Sequence, residues 1–407
     1  MTVAPLGPRF ARLWTVTATA NLADGIVLVA FPLLAVGLTR SPWQVSLVSA
    51  LATAPWLLVA LPAGAIADRH DRRRVILTAM LVRVAALVSL TAIAATGQTT
   101  LTVLYLGVLI LGVAEVLADT TTQSMLPTLV GRDRLGAANG RVIAAQTVAN
   151  DFLGGPLAGV LVGVGAAAVM GVPAAGYLGA AVLLLGLHGS FSPPARPDAH
   201  LVRDVREGVT FVVRHRVLRA LALLAGLLNL AGAAYLALFV LWAVGESSAI
   251  GLRPEGYGLL MATLAAGGIG GALAAERLTA RIGETTLLVV AVGSLPVWFL
   301  LPVWSPRPWV AALAFTLTGL VVSVTKVVIV SLAQRLSPDA LLGRVNATYR
   351  MLGLGTMPLG ALLGGALGSV AGLGPVFHVA AGLCVLAAIL AATQLTTSSL
   401  ADSASSW

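Results

Sequence analysis

Six charged residues lie inside long apolar runs of a 407-residue chain in which only 10% of the residues are charged. They are Asp24, Arg83, Glu115, Asp119, Asp151 and Lys326. A charge within the hydrocarbon layer of a membrane is costly and is kept mainly for function. Buried acids can carry protons or meet cations, and fixed cations hold acids in place. Asp24 lies about thirteen residues into the first apolar run, with Asn21 one turn before it on the same helical face. An acid that alternates between dry and wet surroundings takes up and releases a proton. The competing reading of Asp24 is a hydrogen bond that only packs helices together. Glu115 and Asp119 are four residues apart and share one helix face. Two carboxylates that close do not ionise together easily in a low dielectric, so one is expected to hold a proton. That arrangement suits proton coupling or a cationic substrate. Asp119 also has a simpler reading, as a solvated group near the inner surface. Lys326 is the only lysine in the chain. Lysine changes its protonation state on burial more readily than arginine. It is expected either to form a switchable ion pair with Glu115 or Asp119, or to snorkel to the inner interface. Asp151 lies beside Asn150, one turn after Thr147, and Asp151 and Arg83 read as structural partners of other buried charges.

These residues must be held by helices that cross a membrane. The chain is 58% apolar and its mean hydropathy is +0.95. A soluble domain is about half apolar and a quarter charged, so a soluble enzyme, a disordered protein and a disulfide scaffold are excluded. The single cysteine, Cys384, allows no intrachain disulfide. Apolar runs cut by charges, Pro and Gly give twelve spans. The first half has 11–38, 43–66, 74–97, 100–123, 137–163 and 166–189. The second half has 217–245, 255–276, 285–304, 308–333, 342–369 and 374–394. If the N-terminus is cytoplasmic, twenty of the 25 basic residues fall on the inner side and three, Arg40, Arg253 and Arg307, on the outer side. That bias is the positive-inside rule for a chain with both termini inside. It also accounts for the net charge of +9 without nucleic acid. The expected organisation is a six-helix bundle over 1–189, a linker with a basic amphipathic helix over 190–216, a second bundle over 217–395 and a disordered tail over 396–407.

The two halves match at an offset of about 206 residues, the mark of a duplicated transporter. Asp68-Arg69, in a loop, pairs with Glu276-Arg277, expected in the equivalent loop. Asp133 pairs with Asp339, and Gly155, Gly159 and Gly163 with Gly360, Gly364 and Gly368. Glycine at every fourth position makes a smooth stripe against which another helix can pack closely.

Several segments resemble the major facilitator superfamily, and the likeness covers nearly the whole chain. Gly64-Ala-Ile-Ala-Asp68-Arg69-His-Asp-Arg72-Arg73-Arg74 resembles its loop motif, G-x-x-x-D-R-x-x-R-R. Gly155-Pro156-Leu-Ala-Gly159 resembles the fifth-helix motif of antiporters, with Asp151 where that motif has a glycine. Asn21 to Gly25, Asp119 to Pro127, Arg206 to Arg219 and Gly343 to Arg350 resemble the macrolide-efflux and enterobactin-exporter branch. The resemblance implies an all-α fold of two pseudo-symmetric six-helix bundles, with helices 1, 4, 7 and 10 around a central cavity. It implies a proton-driven exporter of small molecules. Asp24, Asn21, Glu115, Asp119, Asp151, Asn229 and Lys326 are then the candidates for substrate and proton binding. Gly64, Asp68, Arg69, Arg72 and Arg73 become a conformational latch, with Asp68 meeting the helix start near Leu341–Gly343. Gly155, Pro156, Gly159, Gly360 and Gly364 serve helix packing.

No phosphate-binding loop, zinc motif or nucleophile elbow occurs, so neither ATP hydrolysis nor enzyme chemistry is expected. The expected partners are a small-molecule substrate, protons and the lipid bilayer, with no cofactor, metal or nucleic acid. The protein is expected to be a monomer in a bacterial cytoplasmic membrane. His378 is expected to be a packing residue in the last helix, and Trp43, Trp304 and Trp309 interface anchors. The rival readings are a dedicated siderophore or lipid exporter and, more distantly, a membrane sensor or intramembrane enzyme.

Overall fold

The computed structural model of the protein describes residues 6–131, 134–189, 191–192, 201–337 and 342–395. The described chain is helical, in fifteen α-helices and one π segment. The first half contains α1 (Pro8–Leu38), α2 (Pro42–Leu58), α3 (Ala60–Ala67), α4 (Arg72–Ala95) and α5 (Leu101–Leu129). It continues through α6 (Leu135–Gln146), the π segment (Thr147–Leu153), α7 (Gly154–Val164) and α8 (Ala166–Leu185). The connecting helix is α9 (Leu201–Arg214). The second half contains α10 (Arg216–Ala243), α11 (Pro254–Ile282), α12 (Glu284–Trp304), α13 (Pro308–Arg335), α14 (Leu342–Ala371) and α15 (Leu373–Gln394). Eleven helical stretches are long and apolar enough to cross a membrane. The pair α2–α3 is the twelfth span. The protein is an all-α polytopic membrane protein with six spans in each half.

Local chemistry sets the ends and breaks. Asp71 caps α4 by accepting from the Arg74 amide at 3.0 Å, and Thr100 caps α5 by accepting from Val103 at 3.4 Å. The run 154–187 has only Gly and Pro as punctuation, and Gly165, at φ +139°, divides it into α7 and α8. The second span is interrupted at Val59 because the Pro62 ring presses on the carbonyl one turn earlier. Pro156 has the same effect on the fifth span, where the π segment directly precedes it.

Two expectations need correction. Glu276 and Arg277 are not in a loop but in the last turns of α11, which runs to Ile282 before Gly283, at φ +79°, turns the chain. Asp68 and Arg69 do follow the end of α3. The duplicated pair therefore occupies different local structure, because no helix end comes before Gly283. His378 is exposed, with its ring against its own Gly374 carbonyl, rather than packed. Asp133, Asp339, Leu341 and the tail 396–407 lie outside the described residues, as do the side chains of Asp151, Arg344, Asn346, Tyr349 and Arg350.

Packing divides the chain into two units. The first holds Met1–Leu38, Ala54–Ala199 and Arg253–Ala262; the second holds Thr39–Thr53, His200–Leu252 and Thr263–Trp407. In the first unit α1 packs against α8, α7 and the π segment, and α4 packs against α8 and α5. In the second unit α10 packs against α14 and α15, and α12 against α15 and α13. The start of α2 belongs to this unit, where Ala50 is buried with Ala237 and Ala361.

Candidate functional site

Glycine decides which way the first helix faces. A Cβ on Gly25 would lie 2.7 Å from the Asn150 Cα, and one on Gly154 would lie 2.6 Å from the Gly25 Cα. The α1 backbone therefore rests on the π segment and the start of α7, which only glycine allows. The neighbouring Asp24 is turned away, toward α4 and α8. Gly176 on α8 comes close to Ala23, where an added Cβ would lie 3.4 Å from the alanine's own. That approach brings the next residue, Tyr177, to Asp24.

Three side chains from three spans meet there. The Arg83 Nη1 lies 3.2 Å from the Asp24 Oδ1. The Tyr177 hydroxyl donates to the same oxygen at 2.6 Å. The Arg83 Cζ stands 4.8 Å from the Tyr177 ring centroid, a cation–π contact. Arg83 is 1% exposed and Asp24 8%. The Arg83 Nε and Nη2 are buried and make no hydrogen bond among the described residues. Asp24 is thus held in an ion pair inside its own unit, and Arg83 is its partner.

Glu115 and Asp119 stand nearby on α5, both half-buried. The Trp56 side chain on α2 hydrogen-bonds the Glu115 carboxyl group. The Arg83 charge acts most strongly on Asp24 and then on Glu115 and Asp119. The sequence-identified acids of the first and fourth spans therefore form one electrostatic cluster around Arg83. Asn21 is buried, and its amide donates to the Thr17 carbonyl at 2.9 Å, one turn back in its own helix. Asp151 lies in the π segment beside α1.

The other candidates are elsewhere. Asn229 is half-buried on α10, close enough that a Cβ on Gly353 of α14 would lie 3.2 Å from its Nδ2. Lys326 is exposed on α13 beside the buried Thr325. Gly155 and Gly159 of α7, on either side of Pro156, face the start of α11, where a Cβ on Gly159 would lie 2.6 Å from the Pro254 carbonyl oxygen. Gly360 abuts the Leu230 carbonyl of α10, and a Cβ on Gly364 would lie 3.1 Å from the Ala234 Cα. Asp68 and Arg69 are exposed, while Gly64, Arg72 and Arg73 are half-buried. Arg73 donates to the Leu184 and Leu185 carbonyls at 3.2 and 2.5 Å, and Arg12 donates to Gly186. Two arginines thus neutralise the end of α8. The Asp71 Oδ2 accepts from the Phe191 amide at 3.3 Å, tying the start of the linker to α4.

Tyr177 and Trp56 were not expected at the site. A tyrosine in an apolar helix reads as filler, and its only signal is Gly176 beside it. At an offset of about 206, the positions of Asp24, Arg83 and Tyr177 are Leu230, Val289 and Leu383 in the second unit. The duplication pairs α1, α4 and α8 with α10, α12 and α15, and where those helices pack the contacts are aromatic. Tyr235 stacks on Phe299 with centroids 4.5 Å apart and meets Phe377 edge-on at 5.1 Å. Buried ion pairs are often no more stable than well-packed apolar groups. An ionic junction in one unit and apolar residues at the matching positions of the other indicate that the charges are not needed to hold a bundle together.

Known proteins place the chain. A family model described as transmembrane secretion effector matches residues 1–407. The enterobactin exporter EntS of Citrobacter koseri is 28% identical over 373 residues, 89% of this chain and 86% of that protein. EntS of an Escherichia coli O1:K1 strain is 27% identical with the same coverage. Among solved structures, the nucleoside transporter NupG matches with a TM-score of 0.74 at 12% identity, covering 96% of this chain and 100% of that one. A bacterial homologue of the human lysosomal transporter Spinster matches with a TM-score of 0.72 at 14% identity, covering 97% and 98%. At such identities the likeness shows a shared fold. With twelve spans in two repeats and a match along its whole length, the chain belongs to the transmembrane secretion effector family of the major facilitator superfamily of transporters.

Proposed function

We propose that the protein exports small amphipathic molecules, such as drugs or natural products, in exchange for protons by alternating access. The observation that carries this reading is the buried cluster of Asp24, Arg83 and Tyr177 with Glu115 beside it. Charges withdrawn into the membrane are expensive, and the matching positions of the second unit are apolar, which supports a role for them beyond packing. Asp24 and Glu115 form the coupling pair, with Asp119 and Asp151 as further acids and Asn21 as a neighbour that orients α1. Asn229 and Lys326 belong to the second unit's share of the substrate path. Gly64, Asp68, Arg69, Arg72 and Arg73 form the latch. The protein works as a monomer in a bacterial cytoplasmic membrane with both termini inside.

A dedicated siderophore exporter is the second reading, supported by the EntS relatives. Accumulation in energised, efflux-deficient cells tests both, using ethidium, a macrolide and a labelled siderophore. Wild type is expected to lower the level of at least one compound, and an uncoupler or Glu115→Gln to restore it. Lowering of the siderophore alone selects the second reading. Wild-type export that ignores the uncoupler would overturn proton coupling.

A further inference from the structure

We infer that Arg83 divides the work between the two acids: it keeps Asp24 as its fixed counter-ion and leaves Glu115 as the group that carries the coupled proton. This inference rests on the proton-coupled reading above and names the acting residue within it.

The argument begins with charge. An arginine stays protonated in a protein, and a buried one requires a carboxylate. Asp24 supplies it. Its Oδ1 receives both the Arg83 Nη1 and the Tyr177 hydroxyl, and two donors converging on one oxygen suit an ionised acid. One cation balances one carboxylate. Glu115 lies in the same field, with Asp24 on α1, Arg83 on α4, Tyr177 on α8 and Asp119 on its own helix. On the α2 side it meets Trp56. The side chain of Asp151, on the segment packed against α1, lies outside the described residues. With Arg83 committed to Asp24, ionising Glu115 adds a further negative charge beside the Asp24 and Asp119 carboxyl groups. Glu115 therefore holds a proton at rest.

Access points the same way. Asp24 is 8% exposed and doubly hydrogen-bonded, whereas Glu115 is half-buried. Protonating or deprotonating Glu115 therefore does not require breaking the Asp24–Arg83 pair. Once Glu115 releases its proton, the unused Arg83 Nε and Nη2 donors belong to a cation that already acts on Glu115. Arg83 is thus a positioning residue, whose charge limits how long Glu115 stays protonated.

The test is infrared spectroscopy of the full-length purified protein in lipid, following the carboxylic C=O band through a pH titration. Wild type should show a buried acid band that Glu115→Gln removes and Asp119→Asn leaves. Arg83→Gln should add a second band from a newly protonated Asp24, while Arg83→Lys should keep the wild-type pattern. Should Arg83→Gln alone fail to fold, the neutral pair Asp24→Asn with Arg83→Gln serves instead. Its band should persist and vanish when Glu115→Gln is added. Loss of the band in the neutral pair, or its survival in Glu115→Gln, would overturn the inference. The bands are read without substrate or gradient, so they stand or fall separately from proton-driven export.

Discussion

The Arg83 guanidinium meets the Asp24 carboxylate at 3.2 Å with both side chains almost withdrawn from solvent. The contact ties α4 to α1, and Tyr177 adds α8. Removing one partner leaves an unpaired buried charge, which costs about 3–5 kcal/mol. Asp24→Ala and Arg83→Ala should each lose stability on that scale in thermal unfolding of the purified protein. The neutral pair Asp24→Asn with Arg83→Gln should recover most of it. Additive losses in the double variant would show that the two side chains are not coupled.

Tyr177 contributes a hydroxyl to Asp24 and a ring to Arg83. Tyr177→Phe removes only the hydrogen bond to a charged group, worth about 1.5–3 kcal/mol. Tyr177→Leu also removes the cation–π contact, worth about 0.5–2 kcal/mol more. The same unfolding measurement should rank wild type above Tyr177→Phe above Tyr177→Leu. Equal stability of Phe and Leu would mean that the ring contributes nothing through Arg83.

The orientation of Asp24 depends on the Gly25–Gly154 contact. Gly25→Val and Gly154→Val should sharply reduce the yield of monodisperse protein. Gly179→Ala on α8 should be tolerated, since nothing lies within 4 Å of its Cβ position. A normal yield of Gly25→Val would show that α1 does not need this close approach.

Asp71 both caps α4 and holds the Phe191 amide. Asp71→Ala should cost about 1 kcal/mol through the lost cap. It should also speed hydrogen exchange of the Phe191 amide. Unchanged exchange there would separate the linker from the cap.

Much of the fold was legible because apolar length and basic bias are strong signals in a membrane chain. All twelve spans lie close to their expected limits, and α9, Leu201–Arg214, falls inside the linker 190–216. What the sequence hides is rotation about each helix axis. A helix apolar on every side shows no face, so nothing in the run around Asp24 reveals that it turns to α4 and α8. Arg83 was readable as a structural partner of some acid but not of Asp24, because that pairing spans fifty-nine residues and depends on Gly25, Gly154 and Gly176. The loop position of Glu276 and Arg277 was misread because a repeat offset carries residue types, not helix ends.

The most direct test of the central claim compares two transport modes in proteoliposomes, using a compound exported in the cell assay. Counterflow exchanges labelled for unlabelled compound without a gradient, whereas accumulation against a gradient requires proton coupling. Wild type should perform both, and Glu115→Gln should keep counterflow while losing accumulation driven by an imposed pH gradient. If Glu115→Gln still accumulates compound under the gradient, or if wild type ignores the gradient, the account of Glu115 as the coupled proton carrier is contradicted.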